Sequence, residues 1–421
     1  MNAGNDDKSF GPPRRKLRPG FQWAFVLVFG MGLGLLLDRW MLMTFLPSDA
    51  LSDFRLMSEA WNTIERFYVD RAAVKPEALT YGAISGMVNA LGDTGHSVFL
   101  TPGMVKELHV MESGKLKGVG LEVQMKNAQV VIVAPMDNSP ALRSGLRSGD
   151  IIVSVDGRDI AGMPLDQVVE EISGPPGTSV ELGTLNPKTH RLRSVTIVRA
   201  TINISDVTWA RLPGTDVADV RIASFEDNMA DDLRADLREI HRQQMRGLIL
   251  DLRGNPGGVL DEAVQVASQF LTHGNVLLVK DAKGKITAIP VLPGGLATNI
   301  PMAVLIDYGT ASAAEIVAGA LRDAHRGELI GETTFGTGTV LNEFPLPGGS
   351  AILLAVEEWL TPDGQSFWHK GISPQITVAL PPDANALFPK DMGGMTAHDL
   401  ESSQDKQLLR GLEWVTQHTN Q

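Results

Sequence analysis

Twice in its second half the chain runs an aliphatic segment through a small-residue turn directly into a helical pattern. Gly247–Leu252 leads through Gly254-Asn255-Pro256-Gly257-Gly258 into Val259–Leu271, and Met302–Ile306 leads through Gly309-Thr310-Ala311-Ser312 into Ala313–Ala324. Leu248-Ile249-Leu250 is apolar at successive positions, so a strand there must be covered on both faces. Val217–Ser224 followed by Asn228–His241 adds another strand–helix pair. Doubly covered strands alternating with helices predict an α/β layer architecture. In such a sheet, strand-to-helix turns present backbone N–H groups at the carboxyl edge, where ligands and reacting groups are held.

Ahead of this core the pattern changes. From about Gly114 to Ala200, short strands and turns replace the alternation: Gly118–Val123, Val130–Val133, Gly149-Asp150-Ile151-Ile152 and Val155-Asp156-Gly157, with one helix over Leu165–Ile172. About ninety residues of this kind suffice for a small mainly-β domain. Before it, Phe54, Met57, Trp61, Ile64, Phe67 and Tyr68 recur at mostly helical spacing, and a second helix over Leu79–Leu91 ends at Gly92-Asp93-Thr94-Gly95. After the core, Leu408, Leu409, Leu412 and Val415 predict one last amphipathic helix.

The first 46 residues set the expected compartment. Arg14, Arg15, Lys16 and Arg18 precede an apolar run from Phe21 to Leu37, which continues past Asp38 and Arg39 to Leu46. That length reaches the lower edge of what crosses a bilayer. The small residues of a signal-peptidase site do not follow it. The expectation is an uncleaved signal anchor with a cytoplasmic tail at 1–20, a transmembrane helix at 21–46 and everything later exported across the inner (cell) membrane. A net charge of −12 excludes a nucleic-acid surface as the main business, and the absence of cysteine excludes disulfides, thiolate metal sites and a cysteine nucleophile.

Two families are resembled. Gly118-Val119-Gly120-Leu121 resembles the carboxylate-binding loop of PDZ domains, and Ser139-Pro140-Ala141 through Gly145-Leu146-Arg147-Ser148-Gly149-Asp150-Ile151-Ile152 resembles that fold's central signature. The implied ligand is a free C-terminal peptide, its carboxylate met by converging backbone N–H groups and its chain added to a strand edge. Downstream, three segments resemble the C-terminal processing (tail-specific) serine proteases: Gly247–Gly258, Tyr308–Leu321, and Gly331–Val340 with Leu360–Gly364 and Gly371–Pro374. The organisation expected is a helical subdomain at 50–104, a PDZ domain at 105–200 inserted before an α/β protease core at 201–380, and a C-terminal segment at 381–421.

The protease resemblance implies Ser312 as nucleophile. The backbone N–H of Ala313, with those of Gly257 or Gly258 in the other turn, would face the oxyanion. Read from its position alone, Ser312 is equally suited to capping a helix. One position departs from the family. Its general-base lysine falls at Thr337 in Phe335-Gly336-Thr337-Gly338, and its glutamine four residues on falls at Leu341. A threonine hydroxyl cannot take a proton from serine. His96, in Asp93-Thr94-Gly95-His96-Ser97, stands in a turn that resembles the histidine turn of tricorn-type relatives and is the first substitute base considered; His369 and Lys370 are weaker ones. Two functions stay open: an extracytoplasmic peptidase acting through Ser312, or an inactive relative that holds peptides in its PDZ groove. No cofactor is implied, and the nine histidines show no metal-ligand spacing. The expected partners are proteins or peptides with free C-termini and the membrane, with assembly into a homo-oligomer possible on this reading.

Overall fold

A computed structural model of the protein describes residues 50–93, 97–111, 116–187, 189–202, 206–381 and 384–419. The expected anchor at 21–46 and His96 lie outside the described residues. Among the described residues no helix is long and apolar enough to cross a membrane. The chain divides into two units, residues 1–80 and 81–421. In the first, the helical periodicity is realised as a helix over Ala50–Phe67, with Phe54, Leu56, Ile64 and Phe67 exposed.

The mainly-β region is a sheet of β1 (Leu121–Lys126), β2 (Gln129–Pro135), β3 (Ile151–Val155), β4 (Ser179–Asn186) and β5 (Arg191–Val198) in that order, antiparallel throughout. Alternation along β1 sends Leu121, Val123 and Met125 inward, against Ile132, Leu182 and the helix α1 (Leu165–Ile172), whose Val168 and Ile172 are buried. The order leaves β1 at the sheet's edge.

The core sheet runs β6 (Val207–Arg211), β7 (Val217–Ile222), β8 (Gly247–Asp251), β9 (Met302–Ile306), β10 (Glu328–Gly331) and β11 (Ile376–Thr377), parallel after its first pair. Leu248, Leu250, Val304 and Ile306 face α2 (Met229–Arg242), α3 (Leu260–Phe270) and α4 (Ala313–Asp323), while Ile249, Ala303 and Leu305 face α5 (Lys406–Thr419). Coverage on both sides is why these strands carry no polar alternation. Burying a leucine of this kind contributes about 2 kcal/mol. A second, antiparallel sheet built on the long strand Ala351–Leu360 pairs it with Val98–Leu100, Asn275–Asp281 and Thr339–Pro345.

The C-terminal segment is tied in by charge as well as packing. Arg221 and Arg253, both buried, hold a cluster that spans three parts of the chain. Arg221 donates to Asp137 of the mainly-β domain at 3.0 and 3.2 Å; Arg253 donates to Asp251 of β8 and, at 2.9 Å, to both oxygens of Asp405 just before α5. The Phe388 ring lies over both guanidinium groups, 4.3 Å from that of Arg221.

Candidate active site

Ser312 is the first residue before α4, with φ 52° and ψ −120°. A non-glycine residue is held there only by its surroundings, and both sides of the turn contribute. Gly257, at φ 104°, lies against it so closely that a Cβ at Gly257 would stand 2.6 Å from Ser312 Cβ and 2.9 Å from the Ala313 nitrogen. From the helix, Glu315 Oε2 accepts the Ser312 N–H at 3.0 Å. The two strand-to-helix turns recognised in the sequence thus come together at one point.

Glu315 ties that point to a third segment. It is fully buried. Its Oε2 also accepts the Thr337 N–H at 2.8 Å, and its Oε1 accepts the Gly336 N–H at 2.8 Å and the Thr334 hydroxyl. Burial pushes its pKa up to about 7 in spite of these four donors. Four donors fill the acceptor capacity of a carboxylate, so Glu315 holds the frame and has no lone pair left for a serine proton. Its mark in the sequence is the Ser-x-x-Glu spacing of a capping box, which does not by itself single out a functional residue.

Around this frame, Ala313 and Gly258 have backbone N–H groups with no acceptor among the described residues, whereas the Gly257 N–H is taken by Asn255 Oδ1 at 2.8 Å. Thr337 is buried, and its hydroxyl finds no partner among the described residues. The turn Phe367–Gly371 packs on Gly336 and Gly338: the His369 N–H donates to Gly336 O at 2.8 Å, and a Cβ at Gly338 would lie 2.6 Å from Trp368 Cα.

The outer face of the mainly-β sheet rests on the same region. Val133 is buried with Ala311 and Phe335, and Lys126 Nζ donates to the Tyr308 hydroxyl at 2.9 Å and lies over the Tyr308 and Phe335 rings. Beside this contact a cavity of about 1160 Å³ is lined by Leu146 and Gly149, by Tyr308 and Thr333, and by Leu387 and Phe388. At the head of β1, Gly118 and Gly120 take φ 147° and 75°, and the carbonyls of Val119 and Gly120 accept from Ala141 and Met136. These carbonyls turn into the domain ahead of Leu121, where the free edge of β1 begins.

A strained serine at a helix start, held against a glycine turn by a buried glutamate, is the arrangement that comparison with known proteins then places in a family. A family model described as peptidase family S41 matches residues 216–378, and one described as PDZ domain matches residues 107–185. The carboxy-terminal processing protease CtpB of Bacillus subtilis is 33% identical over 364 residues, which cover 85% of this chain and 75% of that protein. This chain belongs to peptidase family S41. CtpA of the same organism is 34% identical over 331 residues, covering 78% of this chain and 70% of that one. The solved structure of a photosystem II D1 C-terminal processing protease superposes with a TM-score of 0.66 at 31% identity, over 80% of this chain and 96% of the other. This S41 chain is accordingly a serine endopeptidase of the C-terminal processing type, with a PDZ domain ahead of its protease core. Among the described residues no group of three or more His, Cys, Asp or Glu side chains is placed to hold a metal ion.

Proposed function

We propose that the protein is an exported, membrane-anchored peptidase that captures the free C-terminus of a protein in its PDZ groove and cleaves the chain by acyl transfer at Ser312. The observation that carries this reading is the strained Ser312 backbone at the start of α4 with Gly257 closed against it, and the N–H groups of Ala313 and of Gly258 in the adjoining turn without an acceptor among the described residues. Strain of this kind persists where geometry is over-determined, and a pair of such donors is what a tetrahedral oxyanion needs. The PDZ part of the reading rests on the Gly118-Val119-Gly120-Leu121 loop and the free edge of β1, onto which an extended peptide adds as a further strand. Export rests on the basic residues before the apolar run at 21–46.

The test is Ser312→Ala in the purified full chain, with an unfolded protein and its C-terminally amidated form as substrates. The variant is expected to lose all measurable cleavage and the amidated substrate to be cut more slowly. Undiminished cleavage by Ser312→Ala overturns the nucleophile assignment. Because the natural chain has no cysteine, a single cysteine placed at Ser402 reports sidedness: labelling of intact cells by a membrane-impermeant maleimide is expected, and labelling only after lysis contradicts export.

A further inference from the structure

The strand that an incoming peptide joins has two faces, and they differ in chemistry. Leu121, Val123 and Met125 of β1 turn inward to the domain's own core. Glu122, Gln124 and Lys126 turn the other way. Lys126 fixes where that face looks: its ammonium reaches the Tyr308 hydroxyl at 2.9 Å and the Phe335 carbonyl at 3.5 Å, both in the protease core. Opposite Glu122 in the ladder is Ala134, and Val133 beside it is buried with Ala311 and Phe335.

We propose that Glu122 selects substrates whose penultimate residue is lysine or arginine. The proposal rests on the PDZ reading above and deepens it by naming the class of C-terminus that the groove takes. The register follows from how a strand is added. The terminal carboxylate is met at the Gly118-Val119-Gly120-Leu121 turn, so the last residue of an antiparallel peptide lies beside Leu121 and the penultimate one beside Glu122. Residues directly opposite in an antiparallel pair point to the same face, with Cβ atoms about 4.5–5.5 Å apart. The last side chain therefore enters the apolar groove with Leu121, and the penultimate side chain meets the carboxylate of Glu122. A lysine or arginine in that place has an apolar stem to lie along the strand and a cationic head to reach the carboxyl oxygens. A penultimate aspartate or glutamate is disfavoured, because like charges directly opposite one another weaken a strand pair.

Glu122 is suited to such a partner because it has none of its own. Its carboxylate makes no hydrogen bond or ion pair among the described residues. It is half-buried, so an arriving side chain can reach it while the pair is screened less than at an open surface. Burial pushes its pKa up to about 7, with no neighbouring charge set against that shift. A cation on the peptide supplies the stabilisation that the ionised form lacks. Two residues along the same face, Gln124 Oε1 is buried and also without a donor. Lys126, the cation of this strand, is turned to the Tyr308 hydroxyl and to the Tyr308 and Phe335 rings.

The experiment measures binding of fluorescent C-terminal peptides to the full chain carrying Ser312→Ala, so that the peptides stay uncut. The peptides differ only in a penultimate lysine, alanine or glutamate, and each is also made with an amidated C-terminus. The lysine peptide is expected to bind at least about tenfold more tightly than the alanine one, and the glutamate peptide more weakly than either. In Glu122→Gln the lysine preference is expected to fall to within about twofold. In Glu122→Lys the glutamate peptide is expected to overtake the lysine one. Glu122→Gln keeps the size and shape of the side chain, so it decides the matter if Glu122→Lys does not fold. Equal binding of the lysine and alanine peptides, with amidation weakening both, overturns this assignment alone. So does a lysine preference that survives Glu122→Gln. Binding indifferent to amidation removes the PDZ reading, and this assignment with it.

Discussion

Glu315 and Asp219 are both carboxyls sealed inside the protease core, and burial raises the pKa of both, yet their surroundings differ completely. Glu315 accepts four hydrogen bonds and connects Ser312 to the Thr337 loop. Both oxygens of Asp219, on β7, lack a partner among the described residues. Burial first, then the charge of Asp251, holds its pKa well above the usual carboxylate range, and Arg221 and Arg253 next to it are already bonded to Asp137, Asp251 and Asp405. Asp219 is therefore a carboxyl whose ionisation burial and the charge of Asp251 oppose, beside an ionic cluster already paired among its own members, whereas Glu315 is an acceptor on which the site's geometry depends. A buried carboxyl marks function when donors converge on it, not when it is merely displaced in pKa.

The ionic cluster is where this contrast breaks most violently. Arg253→Met leaves Asp251 and Asp405 buried with their main partner gone, and the expected loss is about 3–5 kcal/mol, read as a lower urea midpoint. A loss below about 1 kcal/mol would mean that the cluster is not the brace between core and C-terminal segment described above.

Glu315→Gln comes next. The amide keeps one acceptor oxygen and turns the other position into a donor facing the N–H groups it should receive. The fold is retained, but kcat/KM is expected to fall about 10²-fold, the cost of misplacing a catalytic group by a fraction of its reach. Unchanged kcat/KM would reduce Glu315 to an ordinary capping residue.

Asp219→Asn should do least. Near pH 4, where the linkage to its ionisation is smallest, the amide replaces the carboxyl with little change of charge, and stability is expected to change by less than about 1 kcal/mol. The pH dependence gives the sign. The folded pKa of Asp219 is raised, so the folded state binds more protons than the unfolded one above the ordinary aspartate pKa. The wild type therefore loses stability as pH rises through that value towards the raised one. Asn has no such term, so the variant should gain on the wild type as pH rises above about 4. A constant difference between pH 4 and 8 would show Asp219 to be ionised in the fold.

The sequence made the active-site turns legible because each is local. Strand, glycine turn and helix start follow one another within about a dozen residues, and side-chain period and backbone permissiveness are enough to recognise them. The bounds of α4, expected over Ala313–Ala324 and observed over Ala313–Asp323, show how closely such a signal locates an element. The antiparallel sheet around Ala351–Leu360 escaped notice, since its strands pair across tens to hundreds of residues and alternate only partly. Glu315 was visible in retrospect through its spacing from Ser312, but nothing in the string linked it to residues 334–337.

What the sequence determined by itself was the order of modules, the layered α/β core and the place where a serine meets a helix start, because each follows from period, turn chemistry and burial along contiguous residues. Only the tertiary structure decided that Gly257 closes on Ser312, that Asn255 occupies the Gly257 N–H, that one carboxylate joins the nucleophile turn to the Thr337 loop, and that Asp137, Arg253 and Asp405 share a buried cluster. Those are contacts between segments distant in the chain. Hydrogen-bond saturation and charge pairing are set by distances in space, which no local pattern encodes.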